Sequence, residues 1–398
     1  MSLLPATLVI LATFHHGLSS VVPFDASDVG LNTVQMIENH GYPCESHTIT
    51  TEDGYILVYH RILHGKNDDG SVQKPPVLLM HGTFSSSADY VSMGPDRSLA
   101  YLLADIGYDV WIGNARGNEW SRNHTTLDVV KDAEEYFDFS WHEIGYYDLP
   151  AAIDHILSVN GGDGLHYVGH SQGTTVFMVL TTTRPEYSDK IKLASLMGPP
   201  AAMTHQSNPI ILELAKYIFE IEALFKKYKF YELTYVKEIR EFAASYCAQP
   251  GSFEICEGII FEFIGADAPQ LDINIVPVLF SNMPTNSAWK QLFHYLQEIK
   301  SGEFCQYDHG SEKNLEIYGS ARPPVYDLSK ISTPVAAYYG KNDVLVNYTD
   351  VQIFISDLPT VANDYLVPFD LFNHFDFMYA TDVVDLLYVE LIKVMQQY

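Results

Sequence analysis

The sequence predicts an α/β fold: a mostly parallel central sheet with helices on both faces, interrupted by an inserted helical cap. Three observations carry that prediction. Short apolar strands alternate with helical segments from Tyr55 to Thr182. The alternation stops at Pro199-Pro200 and gives way to an aromatic-rich helical stretch over about 201–324. It then resumes at Thr333. A strand-helix-strand rhythm demands a parallel sheet, because each crossover helix packs back onto the face of that sheet.

Residues 1–20 carry no charged side chain. Leu3–Phe14 is too short for a membrane span, which needs about 20 apolar residues. Followed by Ser19-Ser20, it reads as a secretory signal peptide. Tyr55–Ile62 reads as a strand and Pro76–Met80 as a short buried one. Ser98–Ile106 reads as a helix and Tyr108–Ile112 as a strand. Leu149–Val159 is an amphipathic helix with Pro150 in its first turn, where proline is tolerated. Leu165–Val168 is a strand and Thr174–Thr182 a helix. After the cap, Thr333–Tyr339 and Asp364–Val367 are strands, and a last helix from about Thr381 places Val383, Val384, Leu387, Leu391 and Val394 on helical spacing. The expected organisation is a leader over 1–20, a first core segment over 21–200, a cap over 201–324 and a second core segment over 325–398.

Composition excludes several functions. With 50 acidic against 23 basic residues the net charge is −27 over 398 residues. Phosphate contacts need Lys and Arg, so nucleic acid is excluded as a partner, as is broad adhesion to anionic membranes. Net charge vanishes near pH 4.8, where solubility is poorest; a neutral or alkaline working medium is expected on that ground. Within 211–240 the balance reverses locally, with six basic and five acidic residues interleaved with Phe219, Phe225, Tyr228, Phe230 and Tyr231. That pattern fits a solvated helix with snorkelling lysines or a cap that touches a lipid surface.

The chemistry centres on Gly169-His170-Ser171-Gln172-Gly173. A serine oxygen projects above a sheet when it sits on a sharp strand-to-helix turn, and flanking glycines make room for that turn. Here the string lies between a strand and a helix. Serine needs a base, and the base needs an orienting carboxylate. Asp343 follows the strand ending at Tyr339, and His374 lies in the loop before the final helix. The order Ser171, Asp343, His374 suits this architecture, and each falls where a strand's C-terminal end meets a loop. Oxyanion donors are assigned to the N–H of Gln172 and of Thr83, in the loop after the early buried strand. His81 and His170 read as structural neighbours. The sequence holds no zinc-protease, phosphate-loop, dinucleotide or EF-hand motif, and its carboxylates lack metal-ligand spacing, so no cofactor or metal is implied.

Cys44, Cys247, Cys256 and Cys305 form no C-x-x-C pair. In an oxidising compartment Cys247 and Cys256 could close a short loop; otherwise they are two buried thiols. Asn123-His-Thr125 and Asn347-Tyr-Thr349 are glycosylation acceptors if the chain is secreted.

Several longer strings are more specific. Asn32–Ile37 with His40-Gly-Tyr-Pro43, Thr51–Leu57, Gly113–Asn118, Asp138–Glu143, Gly145–Pro150, Gly169–Thr175 and Asn373–Phe377 together resemble the acid lipases of the gastric and lysosomal lipase family, within the α/β-hydrolases, and most closely its insect members. The resemblance covers nearly all the mature chain. It implies an α/β-hydrolase fold, Ser171 as nucleophile, Asp343 as acid, His374 as base, Thr83 and Gln172 as oxyanion donors, and a cap disulfide between Cys247 and Cys256. Two departures stand out: Thr83 where the family usually carries Leu, and Pro284-Thr-Asn-Ser-Ala288 where it usually reads Pro-Ala-Gly-Thr-Ser. Cys44 and Cys305 have no partner in this reading. The implied function is a secreted lipase, with the lysosomal lumen as the alternative compartment. Its substrate is a neutral lipid ester at an oil–water interface, and a monomer without membrane anchor is expected. The rivals are a carboxylesterase on soluble esters and a catalytically silent lipid-binding relative.

Overall fold

Eight strands in the order β1-β2-β4-β3-β5-β6-β7-β8 run across the middle of the computed structural model. The structure describes residues 26–68, 70–233, 237–247 and 252–398; the expected leader lies outside them. Strands β1 (Cys44–Thr50) and β2 (Tyr55–Ile62) form an antiparallel pair, and β2 meets β4 (Asp109–Ile112) antiparallel. From there β3 (Pro76–Met80), β5 (Leu165–His170), β6 (Ile191–Met197), β7 (Val335–Tyr339) and β8 (Val361–Leu366) are all parallel. A two-residue strand, Asn123–His124, pairs with β2 as the ninth member.

The central strands are buried along their whole length, as a sheet covered on both faces requires. Alternate side chains feed two cores: Leu78, Tyr167, Leu196 and Ala337 face one, and Val77, Val168, Met197 and Tyr338 the other. The first helix, α1 (Thr33–Asn39), starts on a reciprocal cap in which Asn32 and Gln35 satisfy each other's backbone N–H groups. Helices α2 (Leu99–Asp105), α3 (Leu149–Asn160) and α4 (Gln172–Thr183) follow their strands as expected.

The helix expected to begin at Leu149 belongs to a longer run. Ser140 caps Trp141–Glu143 in a reciprocal box with Glu143, and a π-turn over Ile144–Asp148 leads into α3. Pro150 therefore lies inside the run, where the widened turn before it accommodates a residue without an N–H.

The insertion after β6 is helical: α5 (Pro209–Lys216), α6 (Ile218–Lys227), α7 (Lys237–Cys247), α8 (Phe253–Ile264), α9 (Val276–Asn282), α10 (Trp289–Ser301) and α11 (Ser311–Tyr318). The expected absence of strands there is corrected by one short antiparallel pair, Glu232–Leu233 with Ser287–Ala288. Small apolar clusters, one around Ala215, Ile218 and Phe293 and another around Val276, hold the insertion together. Cys247 and Cys256 are joined by a disulfide within it. Cys305 is a buried free thiol and Cys44 a half-buried one. The insertion is not a separate body, because Ala288, Tyr295 and Phe304 pack into the main core, and His294 of α10 stacks on Trp141 at 3.6 Å. Two helices, α12 (Tyr348–Asp357) and α13 (Val389–Met395), complete the second core segment. No helix among the described residues is long and apolar enough to cross a membrane.

Candidate active site

Five strand ends converge on one rim of the sheet. Strand β5 ends at His170, and Ser171 follows in a strained turn with φ +50° and ψ −118°. A non-glycine residue there costs on the order of 1–3 kcal/mol, which the surrounding packing must offset. Backbone contacts hold the turn: Ser171 N–H donates to Met197 O at 2.9 Å, and Ser171 O accepts from Thr174 N–H at 2.8 Å. The two flanking glycines are required by close approach. A Cβ on Gly169 would lie 2.6 Å from Gly173 C, and one on Gly173 would lie 2.2 Å from Met80 O. The turn presses against the neighbouring strand end, and only hydrogen fits.

Strand β7 leads to Asp343 and β8 to His374. The Asp343 carboxylate is buried and fully used: Oδ1 accepts the N–H of Leu345 and Val346 at 3.0 and 2.8 Å, and Oδ2 accepts His374 Nδ1–H at 2.7 Å. That bond puts the imidazole proton on Nδ1 and leaves Nε2 as an acceptor. The ring lies close to the serine turn: its centroid is 5.0 Å from that of His170, the residue before Ser171, and a Cβ on Gly198, the residue after Met197, would lie 3.4 Å from His374 Cε1. Among the described residues no hydrogen bond joins Ser171 Oγ to His374 Nε2; catalytic pairs often tighten to bonding distance only when substrate is present.

The histidines read as structural neighbours are just that here. His81 Nδ1–H donates to Gly82 O at 2.7 Å, and its Nε2 accepts Ala115 N–H at 3.1 Å. It ties the loop after β3 to the loop after β4, and burial lowers its pKa to about 4, so it stays neutral. His170 Nε2–H donates to His374 O at 3.1 Å, and burial depresses its pKa well below the ordinary value.

Thr83 lies on the loop after β3, and Gln172 is the first residue of α4, directly after Ser171. Their side chains meet: Thr83 Oγ donates to Gln172 Oε1 at 3.0 Å. Gln172 Nε2 in turn donates to Gln291 Oε1 of α10 at 2.6 Å, and Gln291 Nε2 donates to Ser287 Oγ. Sequence reasoning named Thr83 and Gln172 for their backbone alone, noted Ser287 only as part of the departing Pro284–Ala288 string, and missed Gln291, which belongs to no local motif.

A second missed feature abuts the histidine loop. Asp376 and Asp267 are both buried and face each other across the junction of insertion and core. Burial, then the facing carboxylate, raises Asp376 to about 8, and burial raises Asp267 as well. The insertion grips the same loops through its backbone: Gly265 O accepts Asn373 Nδ2–H and Ala266 O accepts Asn342 Nδ2–H, each at 2.9 Å.

Of the two acceptor asparagines, Asn123 is exposed on the short ninth strand. Asn347 caps α12 through Oδ1, which leaves its Nδ2 free of that bond. No group of three or more metal-ligating side chains assembles among the described residues. A polar cleft of about 360 Å³, lined by Asp53, Arg116, His124 and Glu143 among others, contains none of the residues converging on Ser171.

A serine on a strained turn, an imidazole near it and a carboxylate holding that imidazole can together perform nucleophilic acyl transfer. Comparisons with known proteins bear on the family and the fold. A family model described as a partial alpha/beta-hydrolase lipase region matches residues 33–94, and one described as alpha/beta hydrolase fold matches 75–240. Lipase 1 of Drosophila melanogaster is 42% identical over 370 residues, 92% of this chain and 80% of that protein. Gastric triacylglycerol lipase of Homo sapiens is 34% identical over 400 residues, covering 98% of both chains. Among solved structures, one from Sulfolobus solfataricus superposes with a TM-score of 0.57 at 14% identity over 89% of this chain and 94% of that one. An epoxide hydrolase from Vigna radiata gives 0.50 at 15% identity over 89% and 98%. Likeness at that identity speaks to the fold alone.

Proposed function

The chain belongs to the acid lipase family of α/β-hydrolases and is a carboxylic ester hydrolase; from that footing we propose that it is a secreted serine lipase acting on neutral lipid esters, triacylglycerols or steryl esters. Ser171 Oγ attacks the ester carbonyl while His374 Nε2 takes its proton. Asp343 holds the imidazole in the tautomer that makes this possible and stabilises the imidazolium once formed. The N–H groups of Thr83 and Gln172 receive the developing oxyanion. His374 then protonates the departing alcohol, and water, deprotonated by the same imidazole, releases the fatty acid from the acyl-enzyme.

The observation that carries this reading is the 2.7 Å bond between His374 Nδ1 and Asp343 Oδ2 beside a serine held at φ +50°. Support for a lipid substrate comes from the cap, where Leu214, Tyr217, Phe219, Leu224, Tyr228 and Phe230 are all exposed. An apolar patch with lysines around it suits an oil–water interface, and Lys226 is already paired with Glu222 at 2.7 Å. Support for an oxidising, extracellular destination comes from the Cys247–Cys256 disulfide and from the exposure of Asn123; the lysosomal lumen offers similar conditions. In this reading Asn123 and Asn347 both carry glycans, and the enzyme works as a monomer without cofactor or metal.

Ser171→Ala assayed on emulsified triolein tests the proposal. Loss of essentially all hydrolysis is expected, and undiminished hydrolysis would refute it. A rate that ignores the step from dissolved to emulsified ester would place the enzyme among soluble-ester carboxylesterases. Failure of an organophosphate to label Ser171 would point to a catalytically silent lipid binder.

A further inference from the structure

The two oxyanion donors of the proposed mechanism come from different segments, one from the loop after β3 and one from the start of α4 after β5. Pairing of β3 with β5 brings the two segments side by side. What joins them directly is a side-chain bond between the same two residues, Thr83 Oγ to Gln172 Oε1 at 3.0 Å. The Gln172 amide is buried, and its nitrogen is held from the other side by Gln291 at 2.6 Å. Gln291 is itself buried and bonded onward to Ser287. Each polar atom along this line is used in one direction, from Thr83 through Gln172 and Gln291 to Ser287. A buried amide bonded at both ends has no alternative rotamer that keeps its partners. The cap also grips the first loop one residue on, where Thr285 N–H donates to Phe84 O at 2.9 Å.

We propose that the Thr83 hydroxyl and the Gln172 and Gln291 side-chain amides are positioning groups that set the spacing of the two oxyanion donors and make that spacing depend on the seated cap. The inference rests on the proposed serine mechanism. The hydroxyl has one proton, which it donates to Gln172, and its oxygen also faces the buried Tyr295 hydroxyl. It therefore acts through Gln172 and not as a third donor to the substrate.

The test uses a dissolved short-chain ester, such as p-nitrophenyl butyrate, so that interface binding does not enter. Rates are normalised to the fraction of molecules a phosphonate labels, which removes misfolded protein from the comparison. Loss of a whole oxyanion donor lowers kcat by about 10²–10³-fold; a misaimed donor loses part of that. Thr83→Val is therefore expected to lower kcat about tenfold with little change in KM, and Thr83→Ser to restore it. Gln172→Ala keeps its backbone N–H but breaks the line, so it should cost about as much as Thr83→Val, and the double variant should lose no more than either. Gln291→Leu should show a similar kcat loss from the cap side.

Wild-type kcat in Thr83→Val overturns the proposal. So does a Gln172→Ala enzyme of full activity beside a crippled Thr83→Val, which would make the hydroxyl a direct donor. Losses that multiply in the double variant also overturn it. Ser171→Ala, run in parallel, separates the two levels: if that enzyme still turns over, the serine mechanism itself fails, whatever the clamp variants do.

Discussion

The facing carboxylates Asp267 and Asp376 make a quantitative prediction about pH. Burial and the Asp267 carboxylate raise Asp376 from 3.8 to about 8, and Asp343 adds a further negative charge nearby. In the unfolded chain both acids ionise near their ordinary values, so the folded protein holds one extra proton between about pH 4 and 8. A group whose folded pKa is raised contributes stability that is complete below the unfolded value and is lost as pH rises through the folded one. One proton corresponds to about 1.36 kcal/mol per pH unit. Moving from pH 5 to pH 7 should therefore remove about 3 kcal/mol through this pair. Asp267→Asn replaces the facing charge with an amide that can donate to Asp376 while leaving the burial in place, so the part of that slope due to the facing carboxylate should vanish. The assay is urea unfolding of wild type and variant at both pH values, read as the change in each protein's stability. Asp89 and Asp148, which burial raises to about 6, are present in both proteins and cancel in the comparison. Equal pH dependence in the two proteins would refute the reasoning.

Three further outcomes are expected. Asp343→Asn keeps an acceptor for Leu345 and Val346 but presents an amide N–H to His374, which forces the wrong tautomer; kcat on a dissolved ester should fall about 10³–10⁴-fold with KM little changed. Replacing Cys247 and Cys256 together by Ser opens a loop of sequence separation 9 and should cost about 2.5–3 kcal/mol, read as a shift in the urea midpoint. Arg116→Met strands the fully buried Asp148, which now bonds the guanidinium at 2.8 Å; destabilisation of about 3–5 kcal/mol is expected in the same assay.

The Asp267–Asp376 pair also qualifies the expectation drawn from net charge. Charge neutrality near pH 4.8 favours a neutral or alkaline medium for solubility, whereas the retained proton makes this junction firmest on the acid side. Solubility depends on the summed surface charge and the junction on two buried groups, so the two can have opposite optima. The junction lies close to the candidate base, because Asp376 is two residues beyond His374, while Asp267 belongs to the cap.

Local signals settled much of this protein in advance. Strands β2 and β3 fall on the expected residues, because an apolar run bounded by turn residues has few alternatives. The serine turn was visible because the steric demand for glycine is met within five residues, Gly169 to Gly173. Two strands escaped notice for equally local reasons. Cys44–Thr50 fully buries Ile49 alone, and Ile191–Met197 lacks turn punctuation at its start. Tertiary structure alone decided the rest. Gln172 meets Gln291, 119 residues away, and Asp376 meets Asp267 across the junction of cap and core. Neither pairing leaves a periodicity or a spacing in the chain, because each is made only when an inserted segment returns to the sheet and its buried polar groups must find partners there.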